Sequence, residues 1–285
     1  MNTRIPTINS DLARIMMEAE TRYMQSWLEA LRDLPGNPFG IVIRQFGGST
    51  AFLARRIATS PIYNRVMSLG LKEIDHINSI LSFYHEMSIL CCLDLNPYLM
   101  TPGDLACLAK YSLYQANFQT IVYGLPTTDV PDLPNDIEIR EVQRDEMDKF
   151  VEIYNQGFSH GDATRVLYDR PGWHLYFALL EDIPVAVNTL HIQANVTSIV
   201  DMTTLPSKRG RGCQTALLYY SIKKAALEGS NLIVTQTRAG TTSQANMQRT
   251  GLQIAGTNVW WMEKSVASKL RNQKTFDAFG TPGAR

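Results

Sequence analysis

An alternation of helix-period and strand-period segments that runs through the same order twice predicts an α/β (α+β) protein of two similar lobes, each a mixed, mostly antiparallel sheet flanked by helices. Three observations carry this. Apolar residues recur at helical spacing in long stretches that alternate with short β-branched and aromatic runs. The order α-β-β-β-α-β-α-β of the first half returns in the second. Between the halves, "PTTDVPDLPND" (126–136) is rich in proline and acid and poor in apolar periodicity, as expected of an exposed linker. The boundaries are therefore 1–125, the linker 126–136, a second domain 137–264 and a tail 265–285.

The first helix runs from Ser10 to Leu34, with Leu12, Ile15, Met16, Ala19, Tyr23, Trp27, Leu28 and Leu31 on one face, Ser10 as N-cap and "PGNP" as a stop. Three strands follow in "FGIVIRQF", "TAFLARRIA" and "YNRVMSLGL", separated by Gly-Gly and Ser-Pro breakers. Next come a helix, "KEIDHINSILSFYHE", a strand, "SILCCLDL", a helix opened by Thr101 with Pro102 at its first position, and a strand pair in "SLYQANFQTIVYGL". The second half opens with "IEIREV" and the helix "RDEMDKFVEIYNQGF". The polar and aromatic stretch from Ser159 to Trp173 has no readable period and suits a lid. The strands "WHLYFALL", "IPVAVNTLHI" and "VTSIVDMTTL" lead into a helix, then "NLIVTQT", the short helix "TSQANMQRT", and the closing "LQIAG" and "TNVWWMEK".

Composition excludes several classes of function. The 285 residues carry 27 basic and 27 acidic side chains, a net charge of zero, so no global electrostatic footprint marks a nucleic-acid or membrane-surface binder. No apolar run reaches spanning length, and "MNTRIPTINSDLAR" lacks a secretory apolar region, which leads to the expectation of a cytoplasmic protein. Cys91, Cys92, Cys107 and Cys213 form neither a CxxC pair nor a cluster at zinc spacing, so neither a disulfide framework nor a metal is expected.

The informative segment is "SKRGRGCQTALLYYSIKKAALEG" (207–229), where a run of basic residues and glycines turns at once into an apolar helix. A strand, a glycine loop and a helix N-terminus supply backbone N–H groups and the positive end of a helix dipole, which together make an anion site. Gly210 and Gly212 let the backbone approach, and Lys208, Arg209 and Arg211 add charge suited to a diphosphate. The spacing is neither the GxxxxGK[ST] phosphate loop nor the GxGxxG dinucleotide fingerprint.

These residues carry a family resemblance. "LPSKRGRGCQTALL" (205–218) resembles the pyrophosphate-binding segment of the GNAT acyltransferases, whose pattern is apolar-x-Pro-x-x-Arg-Gly-x-Gly-x-Gly/Ala before a helix. Pro206, Arg209, Gly210 and Gly212 fall in register, and Gln214 stands where the family has a small residue. By element order the resemblance extends over Ile137 to Lys264, with Gly251-Leu252 at the family's Gly-Phe turn. The first half resembles a degenerate copy: "MSLGLKEIDHINS" has Gly70 but no arginine pair, and Glu73 and Asp75 stand where they would repel a diphosphate. Tandem GNAT proteins with one working and one decayed copy have this plan.

The resemblance implies acetyl-CoA or another acyl-CoA as co-substrate, direct attack by an amine in a ternary complex, and no metal. It places Met202, Thr203 and Thr204 beside the pantetheine arm, next to a local bulge. It also implies cofactor contacts from Arg209, Gly210, Arg211, Gly212, Cys213, Gln214 and Thr215, with Asn246, Ser243 and Arg249 as further cofactor-side groups or ordinary caps and surface residues. The oxyanion donor would be a backbone N–H in the Met202–Thr204 region.

Asp201, in the apolar "SIVDMT", is the candidate general base, because burial raises a carboxylate pKa toward the useful range; capping the bulge is its structural alternative. His191 at a strand end is the second candidate, solvated if structural, and His160 and His174 flank the supposed lid. The tyrosine that often protonates the leaving thiolate in this family is replaced by Met247, which leaves water, Tyr219 or Tyr220 for that step; both tyrosines also suit helix packing. Cys213 is either a small filler or a reactive thiol. The expected acceptor is a small-molecule or peptide amine, and the expected state is monomer or homodimer. A CoA-binding regulator without turnover and a scaffold in which both copies have decayed are the alternatives.

Overall fold

The computed structural model describes residues 5–134 and 136–263. The expected tail 265–285, with Lys264 and Asn135, lies outside the described residues. The chain folds as two compact units, one built on Thr120–Gly256 and one on Thr7–Gln119 with residues 257–263.

The Thr7–Gln119 unit begins with α1 (Ser10–Arg32), whose buried face includes Ala13, Met16, Met24, Trp27, Leu28 and Leu31. Asn9 rather than Ser10 is the N-cap, its side chain accepting from the Leu12 N–H at 2.9 Å. Strands β1 (Ile41–Phe46), β2 (Ser49–Ala54) and β3 (Arg65–Leu69) form an antiparallel meander. The helix expected over 72–86 starts as a 3-10 segment over Leu71–His76, with the Glu73 carboxylate accepting from the Gly70 N–H, before α2 (Ile77–Glu86). Strand β4 (Cys92–Leu95) then pairs in parallel with β3, and α3 (Pro102–Leu108) opens on the expected Thr101 cap with Asp104 completing a capping box. A buried Arg65–Asp94 ion pair at 3.0 Å ties β3 to β4.

The Thr120–Gly256 unit contains the mostly antiparallel sheet of the second half. Strands β6 (Ile137–Glu141), β7 (Trp173–Leu180), β8 (Ile183–Gln193) and β9 (Val196–Thr204) run antiparallel in sequence order, and β10 (Leu232–Thr237) pairs in parallel with β9. The parallel pair requires a crossover, supplied by α5 (Cys213–Leu227). Helix α4 (Met147–Tyr154) follows β6, and α6 (Thr242–Arg249) follows β10. The core around α5 joins Tyr176, Ala178, Leu190, Ile199, Leu217, Leu218, Ile222, Ile233 and Met247. Val130 and Leu133 of the linker segment pack against this core.

Two long strands pass from one unit to the other. β5 (Leu113–Gly124), a single strand where a pair was expected, leaves the Thr7–Gln119 unit and places Thr120–Gly124 antiparallel to β10. β11 (Gln253–Glu263), also one strand where two segments were expected, leaves the Thr120–Gly256 unit and places Val259–Met262 antiparallel to β4. The last strand of each sequence half thus closes the sheet built mainly by the other half.

Candidate active site

The site is built where β9 and β10 part. Their parallel pairing runs from Leu232 and Val196 to Thr235 and Ile199. The Thr235 hydroxyl donates to the Ile199 carbonyl at 2.9 Å and closes that last rung. β9 continues five residues further, to Thr204, paired on its other side with β8 as far as Ala186 and Thr204. One edge of the Val200–Thr204 backbone therefore has no rung to β10.

A β-bulge sits at the start of this segment: Thr189 pairs with Asp201 but Leu190 pairs with Ile199, so Val200 is the extra residue. The Thr189 hydroxyl accepts from the Asp201 N–H at 2.9 Å and donates to the Asp201 carbonyl at 3.3 Å. The Asp201 N–H thus faces β8, as does the Leu205 N–H, which donates to the Val185 carbonyl at 2.9 Å. Strand alternation then turns the backbone groups of Met202 and Thr204 toward the open edge, while those of Thr203 face β8. Of the residues the sequence set beside the arm, Met202 and Thr204 thus turn their backbone groups to the open edge, with the bulge just before them at Val200. Thr203 instead is buried, and its backbone is turned to β8 because strand alternation faces it the other way.

The open edge leads into the glycine loop. After a 3-10 turn over Pro206–Lys208, Arg209 is extended, and both glycines have positive φ, +77° at Gly210 and +85° at Gly212. Gly212 is the N-cap of α5 in the left-handed region. Among the described residues, a Cβ at Gly210 would meet nothing within 4 Å, and one at Gly212 would meet Ile137 Cδ1 at 3.6 Å, so both are held as glycine by backbone conformation, not by crowding. The first-turn N–H groups of α5, which have no partners within a helix, emerge from this loop. Arg209, Gly210, Arg211 and Gly212 are exposed; Gln214 and Thr215 are half-buried.

The loop's side chains are not equally available. Arg211 is ion-paired with Asp136 at 3.2 Å, whereas Arg209 makes a long contact from Nε to the Thr204 carbonyl, 3.4 Å. The Gln214 amide donates to Ser243 Oγ at 3.0 Å and its carbonyl accepts from Asn246 at 2.5 Å; Asn246 also accepts from Arg249. Asn246, Ser243 and Arg249 therefore form a clasp between α6 and the first turn of α5. Cys213 is buried, and burial pushes its thiol pKa up despite the opposing influence of Arg211, which leaves it a filler and not a nucleophile.

Asp201 is half-buried on the α4 face of β9. Burial raises its pKa to about 6, opposed by a hydrogen bond from the Tyr154 hydroxyl to Oδ2 at 2.8 Å. Tyr154 closes α4 and is buried between Phe150 and Phe158, with ring centroids 6.2 and 4.8 Å away. Sequence reading missed Tyr154, which lies 47 positions from Asp201 and reads as an ordinary apolar helix residue. Gly157, just past α4, approaches the same strand so closely that a Cβ there would come within 2.2 Å of Thr203 Oγ1.

The other candidates fall elsewhere. His191 is not a solvated strand end: β8 continues to Gln193, and the imidazole is buried with its ring 4.9 Å from that of Trp173. His160 is exposed with φ +62° before a 3-10 helix over Gly161–Leu167, which is what the supposed lid stretch forms. His174 stacks on Tyr176, and burial lowers its pKa. Met247 is buried in the core, while Tyr219 and Tyr220 pack against it, Tyr220 edge-on to Tyr176. Among the described residues no group of His, Cys, Asp and Glu side chains could hold a metal, and no helix is long and apolar enough to cross a membrane.

No family model and no curated protein sequence matches the chain. Solved structures do. A GCN5-related N-acetyltransferase from Kribbella flavida aligns with a TM-score of 0.64 at 16% identity, over 85% of this chain and 95% of that one. One from Sphaerobacter thermophilus aligns at 0.55 and 13%, over 82% and 84%. A putative GNAT acetyltransferase from Novosphingobium aromaticivorans aligns at 0.52 and 12%, over 83% and 96%. With its mixed, mostly antiparallel sheet, bulged β9 and diverging parallel partner, the chain has the GNAT fold of the GCN5-related N-acetyltransferases.

Proposed function

We propose that the chain is an acyl-CoA-dependent N-acyltransferase working from the Thr120–Gly256 unit. The observation that carries this reading is the continuity of the open Val200–Thr204 edge with the positive-φ loop at the start of α5. An extended amide-bearing arm fits the edge as an added strand, and a diphosphate fits the N–H groups of the loop. The residues present suit acyl-CoA: the backbone groups of Met202 and Thr204 meet the arm, and Gly210 to Thr215 with Arg209 hold the diphosphate. Arg211 contributes once its pairing with Asp136 is exchanged for phosphate.

In the reaction, Asp201 takes a proton from the acceptor's ammonium group. The amine nitrogen, its lone pair freed, forms the new C–N bond at the thioester carbonyl carbon. A backbone N–H of the Met202–Thr204 edge stabilises the oxyanion. The nitrogen of the adduct then loses its second proton to solvent as the C–S bond breaks. The thiolate leaves with the electron pair and takes up a proton from solvent, and Asp201 returns its proton to solvent, so that amide, free thiol and one released proton result. With its pKa at about 6, Asp201 is mostly ionised at neutral pH and still basic enough to accept the proton. The acceptor is a small-molecule or peptide amine, and the setting is the cytoplasm, as monomer or homodimer.

The first half serves as a degenerate copy of the same plan. Its α2 entrance carries Glu73, whose carboxylate already accepts from the Gly48 and Gly70 N–H groups, in place of an anion site. A second reading, a CoA-binding regulator without turnover, draws on Met247, buried where the family has its proton-donating tyrosine. Calorimetric titration with acetyl-CoA and a thiol-release screen over amine classes test both. Binding with turnover supports the transferase, binding without any turnover supports the regulator, and no binding overturns both.

A further inference from the structure

We propose that Tyr154 is the positioning residue of the catalytic base: its hydroxyl engages Oδ2 of Asp201 and so presents Oδ1 as the oxygen that receives the acceptor's proton. This deepens the transferase reading and rests on Asp201 being the base. A carboxylate on a half-buried strand has two equivalent oxygens and a rotatable side chain. A single directed donor removes that equivalence, and general base catalysis depends on orientation as much as on basicity. Tyr154 is fit for this because its ring is held by Phe150 and Phe158, so the 2.8 Å bond is delivered by a side chain that does not wander. The main chain at Asp201 is fixed as well, through both bonds of the Thr189 hydroxyl at the bulge. Acid and tyrosine are thus anchored independently, one by the sheet and one by the end of α4.

The hydroxyl also sets the balance of the proton transfer. Burial favours the neutral acid, and the Tyr154 bond favours the carboxylate. Other charged groups near this face have partners of their own. On α4, Asp148 is paired with Arg165, and Lys149 with Glu152, all on exposed side chains. On β8, His191 stands two residues from Thr189 on the same face, its ring against Trp173. Helix α5 packs on the opposite face of the sheet. Tyr154 is therefore the neighbour whose removal changes Asp201 most directly.

The experiment uses the full chain with 13C-labelled Asp carboxyls, the Asp201 signal assigned by its loss in Asp201→Asn. The wild-type carboxyl should titrate near pH 6, and in Tyr154→Phe, which keeps the ring, the midpoint should rise by about one pH unit. With an amine that turns over, the acid limb of kcat/KM should move up by the same amount, with kcat lowered at its plateau and KM for acetyl-CoA unchanged. An unmoved carboxyl titration in a folded Tyr154→Phe protein overturns the role of Tyr154. Full activity with an intact acid limb in Asp201→Asn overturns instead the assignment of the base, so the two failures are told apart.

Discussion

Replacing Gly212 with valine separates a glycine kept for the cofactor from one kept for the turn. Gly212 has φ +85° and caps α5. The space around it is open, with Ile137 Cδ1 3.6 Å from a hypothetical Cβ, so the penalty is conformational. Holding a β-branched residue in that region costs roughly 1–3 kcal/mol. At about 2–4 °C per kcal/mol the melting temperature should fall by roughly 5 °C whatever the loop does. Gly229 supplies the control: it follows the other end of α5 with φ +72° and nothing within 4 Å of a Cβ, so Gly229→Val should cost the same strain.

The variants part company only with ligand. Escape from the strain at position 212 turns the first-turn N–H groups of α5 away from the diphosphate, and losing one charge-assisted contact weakens binding about tenfold or more. At acetyl-CoA one hundred times the wild-type Kd, the native state gains about 2.7 kcal/mol, and a tenfold weaker site gains only about half of that. Melting curves with and without acetyl-CoA should therefore show the full ligand shift in wild type and Gly229→Val, and half or less in Gly212→Val. Equal shifts in both variants would refute the cradle.

Three further outcomes follow from the same geometry. Arg209→Glu should reduce acetyl-CoA affinity more than Arg211→Glu, because Arg211 already has Asp136 as partner, and Lys72→Glu in the first half should leave it unchanged; calorimetry ranks the three. Asp201 has its pKa raised on folding, so its contribution to stability is fully present below about pH 4 and is lost as pH rises through about 6. Asp201→Asn should accordingly gain stability over wild type at pH 7 but not at pH 4, read from denaturant midpoints. Arg65→Met strands the buried Asp94 carboxylate and should cost about 3–5 kcal/mol, whereas Arg140→Met, which breaks the more exposed pair with Glu146, should cost about 1 kcal/mol or less.

What could be read from the sequence was local. The loop at 209–212 announces itself because positive φ demands glycine and an anion site demands basic residues at a helix N-terminus, all within a few positions. The strands and helices around it follow from period alone. The first helix cap was displaced by one residue because Asn9 and Ser10 are both competent caps, and only the Leu12 N–H chooses between them. The exchange of β5 and β11 was not legible, since an apolar strand reads the same whichever neighbour it pairs with. Nor was Tyr154: nothing near it in sequence points to Asp201, and only the folding of α4 over the bulge brings them together. His191 was misplaced for a related reason. Two further residues of β8 and a tryptophan on β7 turned an apparent strand end into a buried site.

Amide hydrogen exchange of the full chain with and without CoA tests the central claim most directly, because it needs neither an acceptor nor turnover. An arm laid along the open edge of β9 and a diphosphate on the loop should slow exchange at Met202 and Thr204 and across 210–215, while the Val66–Leu71 segment of the first half exchanges as before. Protection confined to the first half, or CoA binding that leaves Met202, Thr204 and the loop unprotected, would contradict the account.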